Sequence, residues 1–334
     1  MFLVDHNKLE SGDIILTGGK SFAGALVKIS TLSRFSHVML WVDDTLIHSD
    51  RGGVYSKNPQ RILFDKRSQV KVLRLRKRLK KRQQNIINHH ARSLTLSVYS
   101  TIEAAAVIIP FRLPLTEGQF CSRLVAQCYD KAGISLVKNK NYCTPANFDN
   151  PNLFDEVPEA VRKATQEDID FTKKRDVNLE TQVDTIRMIT EIRKIYGKKI
   201  QTLSHVVDLV SKRPETDAVI TAIALRSGYF NHAEVDMEVN SWRYNEYEFY
   251  EYAREHGIPE LPLAASIREI GNSSASVYKN ELMKFKRLSE KHEADFFYHH
   301  VILYKRLINT DNIRKDLARN IARSIYRFVP AAFA

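Results

Sequence analysis

The stretch that most constrains this chain is Gln119-Phe120-Cys121-Ser122-Arg123-Leu124-Val125-Ala126-Gln127-Cys128-Tyr129. Cys121, Leu124, Val125, Cys128 and Ala132 fall at i, i+3, i+4, i+7 and i+11, one face of a helix. Lys131 sits in the last turn, and Gly133 occupies the place where a left-handed residue ends a helix. Pro114 and Gly118 argue for an irregular approach. The spacing therefore sets Cys121 in the first turn, where unpaired N–H groups and the positive end of the helix dipole favour a thiolate. A buried, inert thiol is the competing reading, since free cysteine is among the most buried residue types.

Upstream, Ser11-Gly12-Asp13 reads as a turn and Ile14-Ile15-Leu16 as a short buried strand. Gly18-Gly19 opens a loop, and Ala23 to Leu32 has the pattern of a short helix. Phe35 to Val42 is apolar on both faces, the mark of a central strand. Asp43-Asp44 turns the chain into the return strand Thr45 to Ser49, and Arg51 to Tyr55 turns out of it. Val70 to Leu75 is a further strand; Arg82 to Ser93 and Thr101 to Ile109 are helical, with Pro110 stopping the second. Thr144 to Phe148 begins a turn or short helix.

Within the apolar strand, His37 is a polar residue that needs a partner or a task. His48 lies eleven residues on, across a short hairpin turn, so the two imidazoles can meet on neighbouring strands. A cysteine hydrolase needs a thiolate, an imidazole acting as acid and base, and a polar group orienting that imidazole. The pattern supplies Cys121 as nucleophile, His37 as general base and His48 as orienter. The same three residues could ligate zinc, but no paired spacing such as C-x-x-C accompanies them.

Several segments in order resemble the permuted papain-like amidases, the YaeF/YiiX group of the NlpC-related cysteine hydrolases. They are Leu9 to Leu16, Phe35-Ser36-His37-Val38, Gly53-Val54, Phe120 to Val125 and Cys143-Thr144-Pro145-Ala146-Asn147-Phe148. The histidine strand follows the cysteine helix in papain and precedes it here. The resemblance covers residues 8 to 155 and implies an α+β, permuted papain-like antiparallel sheet with a nucleophile helix. It implies Cys121 as nucleophile and His37 as base, with the third polar residue on the strand after His37. His48 is the match there; Asp50 or Ser49 could take that place.

Beyond residue 158 the patterns are helical almost throughout, so the expected organisation is a hydrolase domain over 1–158 and an all-α domain over 159–334. Leu179 to Tyr196, Ile200 to Val210, Glu215 to Ser227 and Trp242 to His256 read as helices. Ser276 to Arg306 reads as one long helix or a pair, and a final helix is expected from near Asn309.

The expected reaction is thiol-dependent hydrolysis of an amide (peptide or peptidoglycan-type) or ester, with no metal or organic cofactor implied. Two other classes stay open. One is a lipid acyltransferase or phospholipase of the lecithin–retinol acyltransferase type; the other is a non-enzymatic binding protein on this scaffold. Oligomeric state is not legible.

The formal charge of +12 calls for an acidic partner or surface. Lys71 to Arg82 is the densest run of charge and reads as a nucleic-acid or anionic-lipid patch, or as a solvated strand edge running into a helix start; it lacks the interleaved aromatics that single-strand nucleic-acid binders use, so the solvated edge is favoured and nucleic acid is not expected. Near the C-terminus Ile313, Leu317, Ile321, Ile325 and Phe328 form an apolar stripe flanked by Arg314, Lys315, Arg319, Arg323 and Arg327. That helix either lies on an anionic membrane, with Phe328 and Phe333 as anchors, or docks its stripe internally. Three scattered cysteines point to reduced thiols. With no signal-peptide pattern or spanning segment in the sequence, a cytoplasmic protein is expected, with export by a signal-independent route as the exception.

Overall fold

In a computed structural model, residues 1–18, 34–50, 53–95 and 119–328 are described. The helices expected over 23–32 and 101–109, the Arg51-Gly52 turn and the end of the chain from Val329, with the Phe333 anchor, lie outside them. The chain forms two compact units, one of residues 1–182 with 201–203, the other of 183–200 with 204–334.

The first unit is built on a six-stranded sheet in which every pairing is antiparallel. Its strands are β2 (Ile14–Thr17), β3 (His37–Val42), β4 (Thr45–Asp50), β5 (Gly53–Lys57), β6 (Val70–Leu75) and β7 (Phe154–Glu156), in the spatial order β5-β4-β3-β2-β6-β7. β3 is central, as its continuous apolar run requires, and every residue in it is buried. β5 replaces the turn expected over residues 53–55: Gly53 pairs with Asp50 and Tyr55 with His48.

Alternation along the strands divides the core in two. Ile14, Leu16, Val38, Leu40, Val42 and Ile47 pack beneath helices α1 (Lys81–Ser93) and α2 (Cys121–Lys131). Ile15, Met39, Trp41, Leu46, Val70 and Val72 line the other face. That face is covered by a two-stranded ribbon, β1 (Phe2–Val4) against β8 (Val161–Lys163), together with Ile62, Phe64, Val157 and Ala160. The expected boundary at 158 thus falls between two covering residues, Val157 and Ala160. The unit continues through β8 and α3 (Gln166–Lys173) to Gln182, six residues into α4 (Val177–Tyr196).

Helix α2 ends as its sequence predicts. Gly133 takes φ +77°, its N–H donates to the Asp130 carbonyl (2.9 Å), and the Ile134 N–H donates to that of Tyr129 (3.0 Å). This doubly bonded cap satisfies two of the last-turn carbonyls. The helix is more enclosed than one apolar face implies, since Ser122, Arg123, Ala126 and Tyr129 are buried as well. At the far end of β2, Asp13 is buried and accepts from the Arg74 guanidinium at Nε (2.9 Å) and Nη2 (2.7 Å). Arg74 also reaches Glu10 (2.8 Å).

Among the described residues, the regular elements of the second unit are helices. After α4 come α5 (Leu203–Lys212), α6 (Asp217–Ser227), α7 (Val235–Val239), α8 (Glu246–Glu255), α9 (Glu260–His292) and α10 (Asp295–Phe328). The start expected near Asn309 is corrected: the chain breaks at Glu293, which ends α9 in a left-handed conformation (φ 49°), and α10 runs straight through Asn309. No glycine or proline marks that break. The middle of the apolar stripe of α10 packs within the unit. Leu317 and Ile321 are buried with Phe249, Ala253, Leu263, Ala264 and Ile267, and Ile325 packs against the cluster. Arg314 is buried too, bonded to Asp311 and 3.5 Å from Asp236, so it does not belong to an exposed cationic flank. Among the described residues no helix is long and apolar enough to cross a membrane.

Candidate active site

The hairpin of β3 and β4 opens at one end. Its register runs from Val42↔Thr45 through Trp41↔Leu46 to Leu40↔Ile47. The residues beyond, His37-Val38 and His48-Ser49-Asp50, are instead held in strand by their outer neighbours: Thr17 pairs with His37, and Tyr55 with His48. In the fork the two imidazoles meet. His37 Nε2 lies 3.0 Å from His48 Nδ1, and the rings stand edge to face, 89° apart. The eleven-residue spacing brings them together as the hairpin reading predicts.

The first turn of α2 meets the same fork. The Ser49 hydroxyl donates to the Gln119 carbonyl (3.2 Å), joining β4 to the residue that leads into the helix. The Val38 backbone N–H, one residue from His37, is within hydrogen-bonding reach of the Cys121 sulfur, as are the N–H groups of Cys121 and Ser122. Ser122 donates from its hydroxyl to the Cys143 carbonyl (2.5 Å), which fixes the following segment. That segment is the short 3-10 turn Pro145–Phe148, with buried Pro145 and Phe148, started by the Thr144 N–H donating to Asn147 Oδ1 (2.8 Å).

The electrostatics differ from the sequence expectation. A lowered thiol pKa was the expectation from the helix dipole, yet burial pushes Cys121 up to about 11. The Val38, Ser122 and Cys121 N–H groups pull toward thiolate but do not overcome desolvation. Burial also brings His37 down to about 4, with Asp50 opposing the shift and Lys57 adding to it. His48 is held well below its ordinary value by burial, then by His37 and Lys57. Near neutral pH the resting fork therefore holds a protonated thiol and two neutral imidazoles.

The two alternatives to His48 lie beside it on β4, and Asp50 acts electrostatically on His37. Ser49 is engaged with Gln119. The Asp50 carboxylate accepts from the Tyr55 hydroxyl, and the Tyr55 ring packs edge-on against His48 (4.5 Å). Tyr55 is thus a neighbour of the site that sequence reasoning passed over; its one signal was a position next to the Gly53-Val54 motif. Two further neighbours were hidden inside the cysteine motif. Ser122 anchors Cys143, and Arg123 is buried with its guanidinium over the Phe120 ring (4.6 Å) and its Nε donating to the Asn141 carbonyl (3.1 Å). Among the described residues, no three His, Cys, Asp or Glu side chains are grouped to hold a metal ion.

The family described as permuted papain-like amidase enzymes, YaeF/YiiX, C92 family, matches residues 8–179. The chain belongs to this family. As a permuted papain-like amidase at the level of the family, it is a hydrolase on a mixed helix and antiparallel-sheet scaffold. The match ends close to Gln182, where the first compact unit ends, so it covers the sheet, β8 and α1 to α3, while β1 precedes it. No curated protein matches the chain.

Proposed function

We propose that the fork is the catalytic centre of a cysteine amidase, with Cys121 as nucleophile, His37 as base and His48 as orienting residue. The observation that carries this reading is the 3.0 Å contact between His37 Nε2 and His48 Nδ1, beside the strand residue whose N–H reaches the Cys121 sulfur. The contact is compatible with the tautomer that this role needs. With Nε2–H of His37 donating to His48 Nδ1, His37 Nδ1 is the nitrogen that takes a proton.

Because the resting pair is neutral, proton transfer accompanies attack instead of preceding it. The Cys121 sulfur bonds to the substrate carbonyl carbon as His37 Nδ1 takes the thiol proton, and the oxyanion is stabilised by N–H groups at the start of α2. The imidazolium then protonates the leaving amine, the C–N bond breaks, and a thioester remains. Water, deprotonated by the same nitrogen, adds to that thioester. Collapse breaks the C–S bond, and the thiolate recovers its proton from His37. His48 stabilises the charge that His37 carries between these steps. An amide of peptide or peptidoglycan type is the proposed substrate, with an ester able to follow the same path.

Reaction with a panel of acyl and peptide electrophile probes, wild type beside Cys121→Ala, tests the reading. Covalent labelling mapped to Cys121, and abolished by His37→Ala, is the expected result. Labelling that persists in Cys121→Ala would overturn it.

A further inference from the structure

Between Asp65 and Glu103 the sequence contains no acidic residue, and the basic residues from Lys71 to Arg82 divide into two groups. Lys71, Arg74 and Arg76 are neutralised. Lys71 pairs with Asp149 (2.6 Å) and Glu156 (3.7 Å), Arg74 with Asp13 and Glu10, and Arg76 with Asp155 (3.1 Å). The second group follows at once. Lys77, Arg78, Lys80, Lys81 and Arg82 are exposed on the turn from β6 into α1, and none of them has an ion pair among the described residues. Helix α1 offers no compensation, since it contains no Asp or Glu, and its positive end lies within this same cluster. Five cations within six residues, without an ion pair among the described residues, repel one another, and an external anion relieves that repulsion.

We propose that the Lys77–Arg82 turn is a docking surface for an anionic lipid bilayer. A cluster of lysines and arginines without fixed partners suits a diffuse, laterally mobile layer of negative headgroups. Nucleic acid fits less well, because residues 66–95 contain no Phe, Tyr or Trp to stack on a base. The turn also replaces the C-terminal helix as the membrane-facing element, since the middle of the apolar stripe of α10 is spent within its own unit.

The placement leaves the catalytic fork uncovered. β6 runs antiparallel to β2, with Val70 opposite Thr17 and Leu73 opposite Ile14. Thr17 is beside His37, so the fork is at one end of the sheet and the basic turn follows Leu75 at the other.

Sedimentation of the full chain with phosphatidylcholine vesicles, with and without phosphatidylserine, tests the proposal. Binding should require phosphatidylserine and fall steeply with added salt, as exposed charges are screened beyond about 10 Å at 0.1 M. The Lys80→Glu/Lys81→Glu/Arg82→Glu variant should bind at least about ten-fold more weakly, since each cation near such a surface contributes separately. These side chains are exposed, and an unchanged far-UV spectrum checks that the variant is folded. Arg319→Glu/Arg323→Glu, on the exposed side of α10, should bind like wild type. Three results would overturn the proposal: no dependence on phosphatidylserine, loss only in the α10 variant, or a duplex oligonucleotide displacing the protein from vesicles through the same lysines.

Discussion

The Ser49 hydroxyl donates to the Gln119 carbonyl across 3.2 Å, and this single bond joins the strand carrying His48 to the approach of the helix carrying Cys121. Ser49 thus ties the two halves of the fork together. Ser49→Ala should lower the unfolding free energy by about 1 kcal/mol, the usual net worth of such a bond. It should keep most of the turnover, whereas His48→Ala should lose it by about a hundred-fold, the scale of a lost acid–base element. Urea titrations and kcat/KM for the two variants check both statements. Equal loss of turnover in the two would make Ser49 the third residue.

The thiol prediction concerns its protonation. With Cys121 pushed up to about 11, the absorbance near 240 nm that marks a thiolate should not differ between wild type and Cys121→Ala at pH 7. Iodoacetamide labelling of Cys121 should accelerate continuously toward alkaline pH. It should stay ahead of Cys128 and Cys143, whose thiols are raised further by burial, Cys143 to about 12. A thiolate signal at pH 7 would mean a preformed ion pair and a different first step.

Acid should destabilise the first unit through its histidines. His37 falls to about 4 in the folded chain against about 6.5 when unfolded, so the unfolded chain binds more protons in that interval. The stabilising preference for neutral imidazole is complete above about pH 6.5 and is lost as pH falls toward 4. His48 shifts in the same direction and adds to the slope. Urea midpoints measured between pH 7 and 4.5 should decline, and His48→Asn should flatten the decline. An unchanged slope in that variant would mean that His48 titrates normally.

Truncation should separate two boundaries. A fragment of residues 1–182 should fold, whereas 1–158 lacks Ala160 and Val161 and deprives β1 of its partner strand. The shorter fragment should expose Met39, Trp41 and Val72 and bind a hydrophobic dye. Cooperative unfolding of 1–158 with a midpoint matching that of 1–182 would show that the ribbon is dispensable.

Much of this architecture was legible in the sequence, for identifiable reasons. β3 announced itself by apolar residues on both faces, and α2 by its spacing and by Gly133. His37 stood out because a polar residue in such a strand needs a partner. The open end of the hairpin was not legible, since register beyond Leu40↔Ile47 depends on what inserts between the strands. The thiol pKa failed for a related reason: the helix N-terminus is visible in sequence, but the burial that outweighs it is tertiary. The break at Glu293 was hidden because a non-glycine residue adopts the left-handed conformation there. The stripe of α10 was visible, whereas its partners on α8 and α9 lie far away in sequence.

The ribbon also bears on synthesis. Phe2–Val4 are made long before residues 161–163, with which they pair, so β1 stays unpartnered until most of the unit has been made. The entropic charge for closing so long a loop grows only logarithmically, but the contact is non-local and forms late. Until then Ile15, Met39 and Trp41 remain uncovered in the nascent chain, an opening for chaperone capture that closes only when β8 emerges.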